Sequence, residues 1–221
     1  MDSLPTRTLW TWERREDLSA INPATTAVAS LDRTLILLGP SIHTELQRNA
    51  LRVPSDVRLR RITVVRIETH LPELTEATAE AMADAVLLSL ADMHGPSALQ
   101  IDFDAHESER AWYRTLLQHV RTGMPEAMPL SITALASWCS QDRWMSDLPI
   151  DEAVPMYFRM EPGVRGADDS AIAVHEPLCV GAVGLSTHEP WPKGILGKRV
   201  YLFADAGWYR DDPKRVLREL P

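Results

Sequence analysis

Eight short apolar runs recur along the whole chain, and helical stretches separate several of them. They cover residues 8–13, 27–31, 62–69, 99–104, 130–135, 153–158, 180–185 and 200–205. Runs of this length fit buried strands, and buried strands joined by crossover helices build a parallel sheet. The clearest helix spans about 72–94, where Leu74, Ala77, Ala81, Ala85, Leu88 and Met93 recur at helical spacing. Pro72 suits its first turn and Gly95-Pro96 stops it. A second helix, over about 107–122, turns Trp112, Leu116, Leu117 and Val120 inward, with Glu107 and Glu109 near its positive end. A terminal helix over 212–220 follows the capping sequence Asp211-Asp212-Pro213.

Eight strands with crossover helices predict an α/β fold: a compact (β/α)8 TIM-type barrel with some helices shortened. One helix is expected to give way to a β-hairpin, with arms Thr34 to Leu38 and Ser41 to Leu46 around Gly39-Pro40. Residues 168–176 have room only for a short helix. An open doubly wound sheet is the alternative, but no Gly-rich phosphate loop follows the first strand. Nothing in the 221 residues reads as a linker, so one domain over 1–221 is expected.

A net charge of −8 disfavours nucleic acid and anionic membrane surfaces as partners. No apolar run is long enough for a membrane span. Met1 to Arg7 lacks the apolar core of a signal peptide, so the expectation is cytoplasmic, or exported if a leader has been removed. Oligomeric state stays open. In a parallel barrel Cys139, after a strand, and Cys179, before one, belong to opposite ends. Two buried free thiols are therefore expected rather than a disulfide.

In such a barrel, functional groups sit at the C-terminal ends of the strands. The third strand offers Arg66, Glu68 and His70 on one face; the fourth offers Asp102, Asp104 and His106. Residues at i and i+2 of a strand lie roughly 6.6 Å apart, so neighbouring strands would gather three acids in a small space. Like charges that close push at least one pKa up, and an arginine can hold another carboxylate ionised. The expected pairings are Arg66 with Asp102, and Arg159 with Glu68 or Asp104. Tyr157 and Arg159 are read as inward-facing, opposite Met156 and Phe158. Trp10, Trp12, Trp138 and Trp208 offer flat surfaces at the rim, and Asp205 ends the eighth strand. The bland alternative is a structural ion network of Arg66, Asp102 and Glu68.

Three stretches carry a resemblance: Gln100-Ile101-Asp102-Phe103-Asp104-Ala105, the run Leu130 to Cys139, and Val154-Pro155-Met156-Tyr157-Phe158-Arg159-Met160. Together they resemble the domain of unknown function 3142 family, over about Leu9 to Trp208. That resemblance implies a shared fold and site, and no established activity. A more distant likeness is to chitinase-type glycoside hydrolases, in which Asp102 and Asp104 look like the paired aspartates and Met156-Tyr157 like the sixth-strand motif. His106 stands where those enzymes have a catalytic Glu, Glu107 is out of phase, and Phe158-Arg159 follows the tyrosine where they have Asp.

The resulting expectation is a glycoside-hydrolase-like barrel that acts on or binds a carbohydrate or other small-molecule ligand. Asp104 would be the proton donor and Glu68 the base or nucleophile, with Asp102 and Arg66 tuning the pair. Tyr157 and Arg159 would orient substrate, Trp138 or Trp208 would stack on a ring, and His106 and Asp205 would flank it. No cofactor or metal is assigned. The alternatives are a non-catalytic saccharide- or protein-binding barrel, and a metal-dependent hydrolase using His70, His106 and Asp104.

Overall fold

The computed structural model describes residue 1 and residues 3–70, 74–91, 97–158 and 174–220. Among the described residues eleven strands occur in this order: β1 (Arg7–Thr11), β2 (Glu16–Asp17), β3 (Thr26–Leu38), β4 (Ser41–Leu46), β5 (Leu51–Arg52), β6 (Arg61–Thr69), β7 (Ala98–Asp102), β8 (Leu130–Leu135), β9 (Glu152–Met156), β10 (Ala182–Ser186) and β11 (Arg199–Phe203). Helices α1 (Glu76–Ala91), α2 (Arg110–Gly123) and α3 (Ala136–Ser140) follow β6, β7 and β8, and α4 (Pro213–Glu219) follows β11. The sheet runs β1-β11-β10-β9-β8-β7-β6-β3, and β3 pairs back onto β1. Every pairing in that ring is parallel. The chain is therefore a closed eight-stranded parallel barrel, the TIM-type architecture expected from the apolar runs.

The hairpin is present, but its first arm is not separate from the barrel. β3 runs unbroken for 13 residues and pairs antiparallel with β4 beyond the barrel rim. A register shift between Leu31 and Arg33 inserts Asp32 as an extra residue. Such a bulge reverses the in–out alternation. Ala29 and Leu31 accordingly pack inside the barrel, whereas Leu35 and Leu37 pack in the outer core with α1 and α2. Gly39 turns the hairpin at φ 57°, in the left-handed region glycine tolerates. The helix expected over about 72–94 is seen as Glu76–Ala91; Pro72 and Gly95-Pro96 lie outside the described residues, as does most of 168–176.

The barrel interior is filled by Trp10, Ala29, Leu31, Ile62, Val64, Ala98, Val154, Ala182 and Tyr201, with Leu4 at the N-terminal end. Outside, α1 and α2 cover β6 to β8, while Leu18, Ile21, Val216 and Leu220 cover the outer side of β1, β10 and β11. No helix among the described residues is long and apolar enough to cross a membrane.

Cys139 and Cys179 are joined in a disulfide, with their Cα atoms 5.9 Å apart, which corrects the expectation of free thiols. That expectation placed the two at opposite ends of strands. In fact α3 turns the chain outward directly after β8, and the segment entering β10 runs past it. The N–H groups of His175 and Glu176 both donate to the Cys139 carbonyl, at 2.8 and 3.2 Å, so the two cysteines meet in the outer core.

Candidate functional site

The parallel register sets neighbouring inward residues side by side. Arg66 on β6 pairs in register with Asp102 on β7, as the alternation in both strands requires. Arg66 Nη1 donates to Asp102 Oδ2 at 3.0 Å, and Thr133 Oγ1, on β8, donates to Asp102 Oδ1 at 2.6 Å. Arg66 Nε donates to Glu68 Oε1 at 2.9 Å. Burial raises the Asp102 pKa above its ordinary value; the Thr133 and Arg66 contacts oppose that rise, and neighbouring Asp104 adds to it.

Below this layer most of the barrel's polar side chains are paired, Thr8 Oγ1 being a buried exception. Trp10 Nε1 donates to Gln100 Oε1 at 2.7 Å, and Gln100 Nε2 donates to Ser131 Oγ at 3.1 Å. Deeper still, Glu152 accepts from Tyr201 Oη at 2.8 Å and from Arg199 Nε at 3.1 Å. Arg199 also donates to the carbonyls of Met1, Leu4 and Pro5, closing the N-terminal end of the barrel.

Above the layer the barrel opens into a cavity of about 330 Å³ at the C-terminal ends of the strands. Its wall includes Trp10, Trp12, Phe158 and Phe203, the carboxylates of Glu16, Asp102, Asp104 and Asp205, and the guanidiniums of Arg14 and Arg66. The aromatic side chains form a row. Phe158 lies 4.9 Å from Phe203, Phe203 4.7 Å from Trp10, and Trp10 stacks on Trp12 at 4.9 Å. The Arg66 guanidinium lies 5.2 Å from the centre of the Trp12 ring, so a cation–π contact continues the row into the Asp102 layer.

The structure brings Arg66, Asp102, Asp104 and Asp205 to one cavity. Asp205 Oδ2 accepts from Ser186 Oγ at 2.8 Å, and its backbone carbonyl accepts from Arg14. Glu68 is not part of the cavity wall; Arg66 draws its carboxylate aside. His70 lies 4.0 Å from Glu68 and is exposed, and the exposed His106 donates its backbone N–H to Glu109 at 2.7 Å. Among the described residues no group of three or more His, Cys, Asp or Glu side chains converges as a metal site, so His70, His106 and Asp104 do not form one.

Two tryptophans sit elsewhere. Trp138 is 1% exposed in the outer core, edge-on to Trp144, and Trp208 is 1% exposed, donating from Nε1 to the Trp10 carbonyl. Neither can present a face to a ligand. Tyr157 also differs from expectation: Met156 and Phe158 line the cavity, while Tyr157 packs against the outer core beside β10 and β11. Both faces of a barrel strand are apolar, so the sequence of β9 gives no contrast from which to assign its parity. Burial pushes the Tyr157 hydroxyl up to about 12. Arg159 lies outside the described residues.

Glu16 and Arg14, after β1, and Phe203 were not singled out from the sequence. Glu16 is 4% exposed, and its Oε2 accepts from the Trp208 backbone N–H at 2.9 Å. Burial raises its pKa, and the backbone hydrogen bonds from Trp208 and Tyr209 oppose the rise. Gly207, at φ 88°, lets the loop after β11 approach this carboxylate; a Cβ there would stand 3.1 Å from Glu16 Oε1. The signal in the sequence was weak, because the two-residue strand β2 is too short to show the alternation that marks a buried position.

Fold and site together define a parallel barrel whose ionisable groups crowd one mouth, the end at which barrels of this class carry their chemistry. Residues 58–160 match the family model described as Domain of unknown function (DUF3142), so over this segment the chain is similar to that family. The match spans β6 to β9 and so contains Arg66, Glu68, Asp102, Asp104 and Thr133. No curated protein and no solved structure matches the chain.

Proposed function

We propose that the barrel mouth takes a carbohydrate and that Asp104 is the group that acts on it. The observation that carries this reading is the single cavity in which an aromatic row meets strand-end carboxylates. Sugar rings present apolar C–H faces to aromatic side chains and hydroxyls to carboxylates, so both wall types suit one ligand. Asp104 is exposed in the cavity, while Asp102, buried at its floor, is held by Arg66 and Thr133. Asp104 therefore contacts substrate, and Asp102 with Arg66 holds the local field.

A second reading, binding without turnover, is favoured by one feature. Glu68, the expected partner carboxylate of Asp104, is engaged by Arg66 outside the cavity wall. Calorimetry and a reducing-end assay against an oligosaccharide panel separate the two. Turnover that is lost in Asp104→Asn, with the melting temperature moved by no more than about 2 °C, supports hydrolysis. Heat of binding without new reducing ends supports the second reading. No binding across the panel refutes both.

A further inference from the structure

The geometry points to an amino-sugar oligomer, carrying protonated amines, as the saccharide that fits this mouth; the inference rests on the carbohydrate reading above. Arg66 is already paired with two acids of this barrel end, Nε donating to Glu68 and Nη1 to Asp102. One guanidinium thus serves two carboxylates. Arg14 is the other cation of the described wall, and it is shared between the charge of Glu16 and the backbone carbonyl of Asp205. Asp104 lines the same cavity, is exposed, and has no hydrogen bond or ion pair to any described residue. Its nearest charged neighbour along the strand is another carboxylate, Asp102.

An ionised carboxylate only accepts hydrogen bonds. A neutral sugar supplies hydroxyl donors but leaves the charge standing. A uronic acid adds like charge. An ammonium group supplies donors and cancels the charge, which makes the stronger contact. The aromatic wall agrees: Arg66 over Trp12 shows that this row already holds one cation. Four strand steps separate β7 from β11 in either direction around the closed ring. Asp104, just past β7, and Phe203, at the end of β11, therefore occupy opposite walls. A ring lying against Phe203 turns its far edge to Asp104.

The test is calorimetry with three named probes at about pH 6, below the amine titration range. They are a glucosamine tetramer, its fully N-acetylated counterpart and a galacturonate tetramer. The glucosamine tetramer is expected to bind at least about tenfold more tightly than the N-acetylated one. That advantage should shrink between about 50 and 500 mM salt and vanish in Asp104→Asn, while the galacturonate tetramer does not bind. Equal affinity for the first two probes overturns the inference and leaves the carbohydrate reading standing. Binding by none of the three overturns both. An advantage that survives Asp104→Asn overturns the assignment to Asp104.

Discussion

The Cys139–Cys179 disulfide closes a loop of 40 residues that contains β9 and the return to β10. Opening it frees that loop in the unfolded chain. In the chain-entropy description a closed loop of this length contributes about 4 kcal/mol at 25 °C. For 221 residues the unfolding entropy near the midpoint is roughly 0.46 kcal/mol/K, so the same term moves the melting temperature by about 9 °C. Both cysteines are fully buried, and a reductant must wait for an opening of this outer core. The assay therefore compares oxidised protein with protein reduced while unfolded and refolded under reductant, and with the Cys139→Ala/Cys179→Ala double variant. Both forms should melt about 9 °C lower, and thiol titration of the denatured oxidised protein should find no free thiol. Coincident melting curves, or two free thiols, would refute the reasoning. Persistence of the bond also requires an oxidising compartment, where such bonds are kept.

Two further outcomes follow from the barrel itself. Asp102 has a folded-state pKa raised by burial above its ordinary value of 3.8. The stability this gives is complete below the unfolded value and is lost as pH rises through the folded one. The stability of wild type minus that of Asp102→Asn should therefore fall as pH rises from about 4, measured by urea unfolding at a series of pH values; a difference that grows with pH contradicts the assignment. A Cβ at Gly184 would stand 2.6 Å from Met156 Sδ, so Gly184→Ala should push that flexible side chain into the cavity. Saccharide affinity should fall several-fold with a melting shift below about 4 °C, and unchanged affinity would show that Met156 does not bound the ligand space.

What was legible in the sequence was whatever contrast the alternation preserved. Arg66 and Glu68 at the end of β6, and Asp102 and Asp104 at and just past the end of β7, alternate with apolar neighbours, so their parity could be read directly. β9 has apolar residues on both faces, and its parity was read backwards, with Tyr157 inward in place of Met156. The bulge at Asp32 was invisible because the chain on either side of it alternates normally. Trp138 and Trp208 follow strand ends, where a rim position is the natural reading; α3 and the loop after β11 fold them into cores instead. The disulfide escaped because strand order alone says nothing about where a long connection travels on its way to the next strand. The Arg66, Glu68 and Asp102 cluster was expected as either a site or an ion network. It is an ion network whose upper surface is the floor of a cavity.

The two ends of the barrel differ in how their charged groups are paired. At the N-terminal end Arg199 spends its donors on Glu152 and three backbone carbonyls, and Tyr201 completes Glu152. A charge buried in this way is costly unless every partner is supplied, and here they are. At the C-terminal end Arg66 is paired with two carboxylates, yet Asp104, one layer higher, meets no donor among the described residues. A solvent-exposed carboxylate beside an aromatic wall is not needed to hold the fold, because Thr133 and Arg66 already pair the buried layer beneath it. The sealed end thus carries buried charge pairs that the fold depends on, whereas Asp104 at the open end faces solvent. Substitutions at Arg199 or Glu152 should therefore appear as unfolding, and substitutions at Asp104 as changed binding in a protein that still folds.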